Sequence, residues 1–134
     1  MGENKKCILV IDDEDDVCQL IMEKFERLGY KVLTASDGAE GFQKTVEGKP
    51  DCVLLDIRIP KSEDGLAYLR RVRSYCHDDP QEQIRMRKTP VFILTGAGTS
   101  MQTLFESEGI SGFIEKPFEI AALRSKIQNL INPR

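Results

Sequence analysis

Five short apolar runs, each followed by a segment of helical period, constrain this chain more than any other feature. Residues 6–11 are rich in Ile, Leu and Val, short enough for a buried strand, and stop at an acidic cluster. Residues 15–28 then carry Val17, Leu20, Ile21, Phe25 and Leu28 at helical spacing and close on Gly29, a C-terminal cap. The unit repeats. Residues 30–35 read as a second strand, Ser36 as an N-cap, and Ala39, Phe42 and Val46 as a second helix ending near Gly48. Residues 52–57 form the third strand. A loop through Pro60 leads to a helix over 65–75 with Leu66, Leu69 and Val72 inward. Pro90 opens the fourth strand, 91–94, and Met101, Leu104 and Phe105 mark a fourth helix. A fifth strand over 112–115 and a helix carrying Ile120, Leu123, Ile127, Leu130 and Ile131 follow.

Parallel strands need crossovers that pack helices back onto the sheet, so five such units predict an α/β fold. Its core is a single doubly wound five-stranded parallel sheet with helices on both faces. In such sheets ligands bind at the C-terminal strand ends, near the point where the strand order reverses. Residues 76–89 exceed an ordinary connection and are read as an extended third helix, a short extra turn or a mobile segment. The 134 residues are expected to make one domain, with a core from about 5 to 130 and no output domain among them.

Charge and composition exclude several classes. The formal net charge of −3 is too small to argue for nucleic acid or an anionic membrane as the partner. The longest apolar run is far short of the roughly 20 residues that span a bilayer, and the first residues carry no apolar leader. A cytoplasmic location is expected. Cys7, Cys18, Cys52 and Cys76 form no C-x-x-C pair and read as free thiols, three of them inside apolar runs. The lone histidine, His77, rules out a site built on two imidazoles and reads as a solvated loop residue.

Polar residues at the strand ends converge on one chemistry. Asp12 and Asp13 end the first strand, Asp56 the third and Thr95 the fourth, and Lys116 follows the fifth. Crowded carboxylates repel unless a cation enters, and oxygen ligands of high charge density suit a hard ion such as Mg²⁺. With charge neutralised, a carboxylate can act as a nucleophile toward a phosphoryl donor. A hydroxyl and an ammonium then hold the phosphoryl oxygens. Glu14, Asp15 and Asp16 read as acids favoured at a helix N-terminus.

The segments ILVIDD, LLDIRIP, ILTGA and Lys116-Pro117-Phe118, in this order at the strand ends, resemble the response-regulator receiver domain of two-component signalling. That resemblance implies the chemotaxis-regulator-like, flavodoxin-like strand order 2-1-3-4-5. It implies that Asp56 is the phosphoacceptor, Asp13 a direct metal ligand and Asp12 its partner through a water or hydrogen bond. The Arg58 carbonyl would be a further ligand to Mg²⁺ or Mn²⁺; separately, its place two residues after Asp56 is expected to project the Arg58 side chain over the phosphoryl site. Thr95 and Lys116 would hold the phosphoryl group, and Thr95 and Phe113 would form the conformational switch.

By the same resemblance the phosphoryl donor is a histidine kinase or a histidine phosphotransfer protein. The output is a downstream protein or a fused domain absent from this chain, with no direct contact to nucleic acid or membrane. Such a switch turns over no separate substrate. This chain departs from the family pattern at Ile59, where methionine is usual, and in one extra residue between Pro60 and Gly65. The alternatives are a haloacid-dehalogenase-type phosphatase, which normally carries D-x-D rather than adjacent Asp12 and Asp13, and a non-phosphorylated scaffold.

Overall fold

The computed structural model describes residues 5–57, 62–96 and 106–131, with residues 62–64 described by their backbone. Its strands are β1 (Cys7–Ile11), β2 (Lys31–Ala35), β3 (Cys52–Asp56), β4 (Val91–Thr95) and β5 (Gly112–Glu115). The helices described are α1 (Asp15–Arg27), α2 (Gly38–Gly48), α3 (Ser62–Arg73), α4 (Pro80–Arg87) and α5 (Ile120–Ile131). The strands form one parallel sheet in the order β2-β1-β3-β4-β5. The doubly wound fold expected from the alternating pattern is therefore present, with β3 central and the strand order reversing between β1 and β3.

Every residue of β1, β3 and β4 is buried, which is why these runs are continuously apolar rather than alternating. Successive side chains still point to opposite faces. Ile8, Val10, Leu54 and Leu94 face one layer, formed by Ile21 and Phe25 of α1 with Leu123 and Ile127 of α5. Leu9, Ile11, Leu55 and Ile93 face the other, where Tyr68, Leu69 and Val72 of α3 and Met86 of α4 complete a second core. Each fully buried leucine or isoleucine contributes about 1.5–3 kcal/mol, so both layers are needed.

Local signals account for most element ends. Gly29, at φ 97°, takes the left-handed conformation just past α1, as its position predicts. The α2 cap is one residue later than expected: Asp37, not Ser36, is the N-cap, its side chain accepting the Glu40 N–H at 2.8 Å. Ser36 instead donates its N–H and hydroxyl to the Glu40 carboxylate, at 2.9 and 3.2 Å. Asp and Ser are comparable N-caps, so local chemistry alone does not separate the two positions. The third helix begins at Ser62 rather than 65 and ends at Arg73 rather than 75.

The expected fourth helix at Met101, Leu104 and Phe105 lies outside the described residues. The 76–89 segment contains a helix of its own, α4. Asp79 caps it by accepting the Gln81 N–H at 3.0 Å, and Pro80 opens it. Arginines tie it down through helix-end carbonyls that would otherwise lack partners. Arg85 donates to the Thr45 and Val46 carbonyls of α2, Arg87 to Tyr75, and Arg73 of α3 to Arg87, Glu108 and Gly109. His77 is exposed, as expected, and its ring nitrogen accepts the Asp79 N–H at 2.9 Å. All four cysteines are free, and only Cys76 is exposed.

One contact brings α2 close to the sheet. A Cβ at Gly41 would press on Cδ1 of Ile11 and lie 2.9 Å from its Cγ1, in a fully buried side chain immediately before Asp12. Gly41→Ala is expected to destabilise the fold by about 1–3 kcal/mol through overpacking, read as a lower urea midpoint. An unchanged midpoint would mean that the helix can withdraw freely.

Candidate functional site

The ladder register assembles the site. Ile11 lies opposite Leu55, Asp56 opposite Leu94, and Thr95 opposite Glu115, so these strands end level with one another. Backbone bonds continue past the strand ends: Asp12 N–H to the Ala35 carbonyl at 3.0 Å, Ile57 N–H to Leu94 at 3.0 Å, and Lys116 N–H to Thr95 at 2.8 Å. Asp12, Asp13, Asp56, Thr95 and Lys116 therefore share one C-terminal edge. The crevice at the reversal of strand order falls between β1 and β3, which carry the three aspartates.

Carboxylate oxygens of Asp12, Asp13 and Asp56 lie within 4.8 Å of one another. Asp12 and Asp56 are buried and Asp13 is exposed. The Lys116 ammonium sits among these acids, 2.9 Å from Asp12 Oδ2 and 3.3 Å from Asp56 Oδ2. It also reaches Glu14 Oε1 at 3.3 Å, so Glu14 does more than complement the helix N-terminus. The second oxygen of Asp12 accepts the Glu14 N–H at 2.9 Å, and the Cys18 thiol donates to the Asp12 carbonyl at 3.4 Å.

Burial is the largest influence on Asp12 and pushes its carboxyl up to about 6. The Glu14 N–H and Lys116 oppose that rise, while Asp56 adds to it. For Lys116, burial works against the ammonium, yet the bond to Asp12, the charge of Asp56 and the bond to Glu14 together outweigh it. Its pKa is held above the ordinary lysine value. An all-oxygen donor set of three carboxylates, one facing solvent, fits a hard divalent cation that keeps part of its water shell.

The remaining expected site residues fall as follows. Thr95 is buried at the end of β4, with its hydroxyl donating to the Gly96 carbonyl at 3.0 Å. Phe113 is half-buried on β5, opposite Ile93, against the second core layer. Arg58, both carbonyl and side chain, lies outside the described residues. An open groove of about 340 Å³, lined by Val17, Leu20, Lys116, Pro117 and Phe118, flanks the site. The contact between Glu14 and Lys116 had no sequence signal, because nothing local distinguishes Glu14 from Asp15 and Asp16 as an acid at the helix N-terminus.

Fold and site together define a doubly wound α/β domain with an acidic, lysine-bridged cluster at its switch point. The chain belongs to the response regulator receiver domain family, whose model matches residues 8–128. It is 32% identical over 129 residues to the alkaline phosphatase synthesis transcriptional regulatory protein PhoP of Bacillus subtilis (strain 168). That alignment covers 96% of this chain and 49% of PhoP, and the chain spans about half the length of the curated relatives it matches. Among solved structures, a response regulator signal receiver domain from Bermanella marisrubri superposes with a TM-score of 0.80 at 26% identity, covering 96% of this chain and all of that one. The Vibrio cholerae chemotaxis protein CheY4 superposes with a TM-score of 0.77 at 25% identity, covering 94% and 98% of the two chains. Family membership does not favour the phosphatase or scaffold alternatives. Among the described residues no helix is long and apolar enough to cross a membrane.

The raised Asp12 pKa makes a thermodynamic prediction for the metal-free protein. A carboxyl whose folded pKa, about 6, exceeds its ordinary 3.8 supports the fold fully below about pH 4 and loses that support as pH rises through 6. Asp12→Asn is expected to remove this loss. It should be more stable than the parent by on the order of 3 kcal/mol near pH 7.5, an advantage that shrinks to about 1 kcal/mol near pH 4.5. Urea unfolding at both pH values, without divalent ions, checks it.

Proposed function

We propose that this receiver domain is a phosphorylation-controlled switch in which Asp56 accepts a phosphoryl group. The observation carrying this reading is the carboxylate cluster within 4.8 Å, with the Lys116 ammonium 3.3 Å from Asp56. An Asp56 carboxylate oxygen attacks phosphorus, a new O–P bond forms, and the bond to the donor's leaving group breaks in line. Lys116 donates to one oxygen of the transferred group, and the Thr95 hydroxyl leaves the Gly96 carbonyl to donate to another.

Asp12, Asp13 and Asp56 would hold Mg²⁺ or Mn²⁺, which when bound neutralises the charge of nucleophile and phosphoryl oxygens. The proposed protein donor is a histidine kinase or histidine phosphotransfer protein. An apolar face of that donor fits the groove beside Lys116, where Leu20 is 40% exposed. Signal output follows if the Thr95 hydroxyl, once engaged, frees space for half-buried Phe113 to rotate inward, since a switch must bind the phosphoryl group better in one arrangement. The output element is a downstream protein or a fused domain.

Acetyl phosphate with Mg²⁺ is expected to add one phosphoryl group by intact mass, and Asp56→Asn to add none. Retention of the group by Asp56→Asn would overturn the assignment. Asp13→Asn is expected to weaken Mg²⁺ binding by about tenfold or more, seen as loss of the Mg²⁺-dependent rise in melting temperature.

A further inference from the structure

Glu14 occupies the N-cap position of α1, where its carbonyl accepts the Cys18 N–H at 3.2 Å but its side chain caps nothing. Its backbone is extended, at φ −90° and ψ 110°, and its side chain makes no bond to the helix. Short Ser, Thr, Asp and Asn side chains are the effective N-caps. Asp12 does the nearest equivalent work by accepting the Glu14 N–H. The Glu14 carboxylate instead reaches Lys116 Nζ at 3.3 Å while remaining 63% exposed.

An ammonium has three protons to donate. On Lys116 they face Asp12 at 2.9 Å, Asp56 at 3.3 Å and Glu14 at 3.3 Å. A phosphoryl group arriving on Asp56 needs one of these donors. Asp12 is the costliest partner to release, because its side chain is fully buried and would be left as an uncompensated charge. Glu14 is the cheapest, because water takes over its solvation at once.

We propose that Glu14 is a positioning residue that competes with the incoming phosphoryl group for Lys116 and so biases the domain against free, small, anionic phosphodonors. This rests on Asp56 being the phosphoacceptor. With acetyl phosphate, an Asp56 oxygen forms the new O–P bond, the P–O bond to acetate breaks, and acetate leaves with the electron pair. No proton moves, and the donor enters as an anion. Glu14 opposes it twice, by holding the cation it needs and by adding negative charge at the mouth of the site. A free donor has only its own charge with which to displace Glu14, whereas a protein donor brings contact energy from elsewhere on its surface.

Glu14→Gln keeps the side-chain shape, removes the charge and touches no helix cap, so the variant should fold as the parent does. At saturating Mg²⁺ and low salt, its rate of phosphorylation by acetyl phosphate is expected to exceed the parent's by about twofold to fivefold, the size an exposed ion pair supports. The advantage should shrink in about 1 M salt, where the screening length falls to about 3 Å. A merely structural role for Glu14 would not give that salt dependence. If the parent takes up no phosphoryl group, the phosphoacceptor reading fails. If the parent is phosphorylated while Glu14→Gln reacts at the same rate, more slowly, or with an advantage insensitive to salt, the competition proposed for Glu14 is overturned.

Discussion

The ion-pair cluster around Lys116 is the interaction on which this site depends. Two buried aspartates end neighbouring strands, and side by side without a counter-ion they would repel across a poorly solvated crevice. The Lys116 ammonium bridges Asp12 and Asp56 from the far side of the sheet edge. Burial still holds Asp12 near a pKa of 6, so the cation only partly offsets the cost of ionising it. A divalent ion and a phosphoryl group are charges that such a poised cluster can accept.

Everything else in the fold serves to hold that cluster in register. The apolar runs of β1, β3 and β4 are buried on both faces, which fixes the strands in depth. Parallel ladders then fix them lengthwise, since a slip of one residue would move Asp12 or Asp56 to the opposite face. The close approach of Gly41 to Ile11 seats α2 directly behind β1, one residue from Asp12. A buried hydrogen bond of 2.8 Å between Thr45 and Tyr68 links α2 to α3 in the same layer.

The α4 helix lies at the other end of the architecture. Its arginine contacts run to the C-terminal carbonyls of α2, to the turn after α3 and, through Arg73, to the residues leading into β5. A segment that reads as a polar connection is thus bound by main-chain carbonyls rather than by an apolar stripe. Only Met86 of this helix is buried. The Asp79-Pro80 pair was its local signal, an N-cap followed by a first-turn proline, while its weak apolar periodicity concealed it.

The sequence by itself determined the fold class, the strand order through family resemblance, and the collection of Asp12, Asp13, Asp56, Thr95 and Lys116 at one edge. These follow from patterns a few residues long, repeated along the chain: buried-strand runs, helical periods and polar residues at their ends. Local chemistry also decided the Gly29 cap, but it misplaced the α2 cap by one residue because Ser36 and Asp37 both suit the position. Only the tertiary structure decided that Glu14 turns from its own helix to Lys116, and that Asp12 is buried while adjacent Asp13 faces water. Those facts depend on the path of the chain between β1 and α1, which turns one acid of the run 12–16 to Lys116 and another to water, and no short-range pattern tells these neighbouring acids apart.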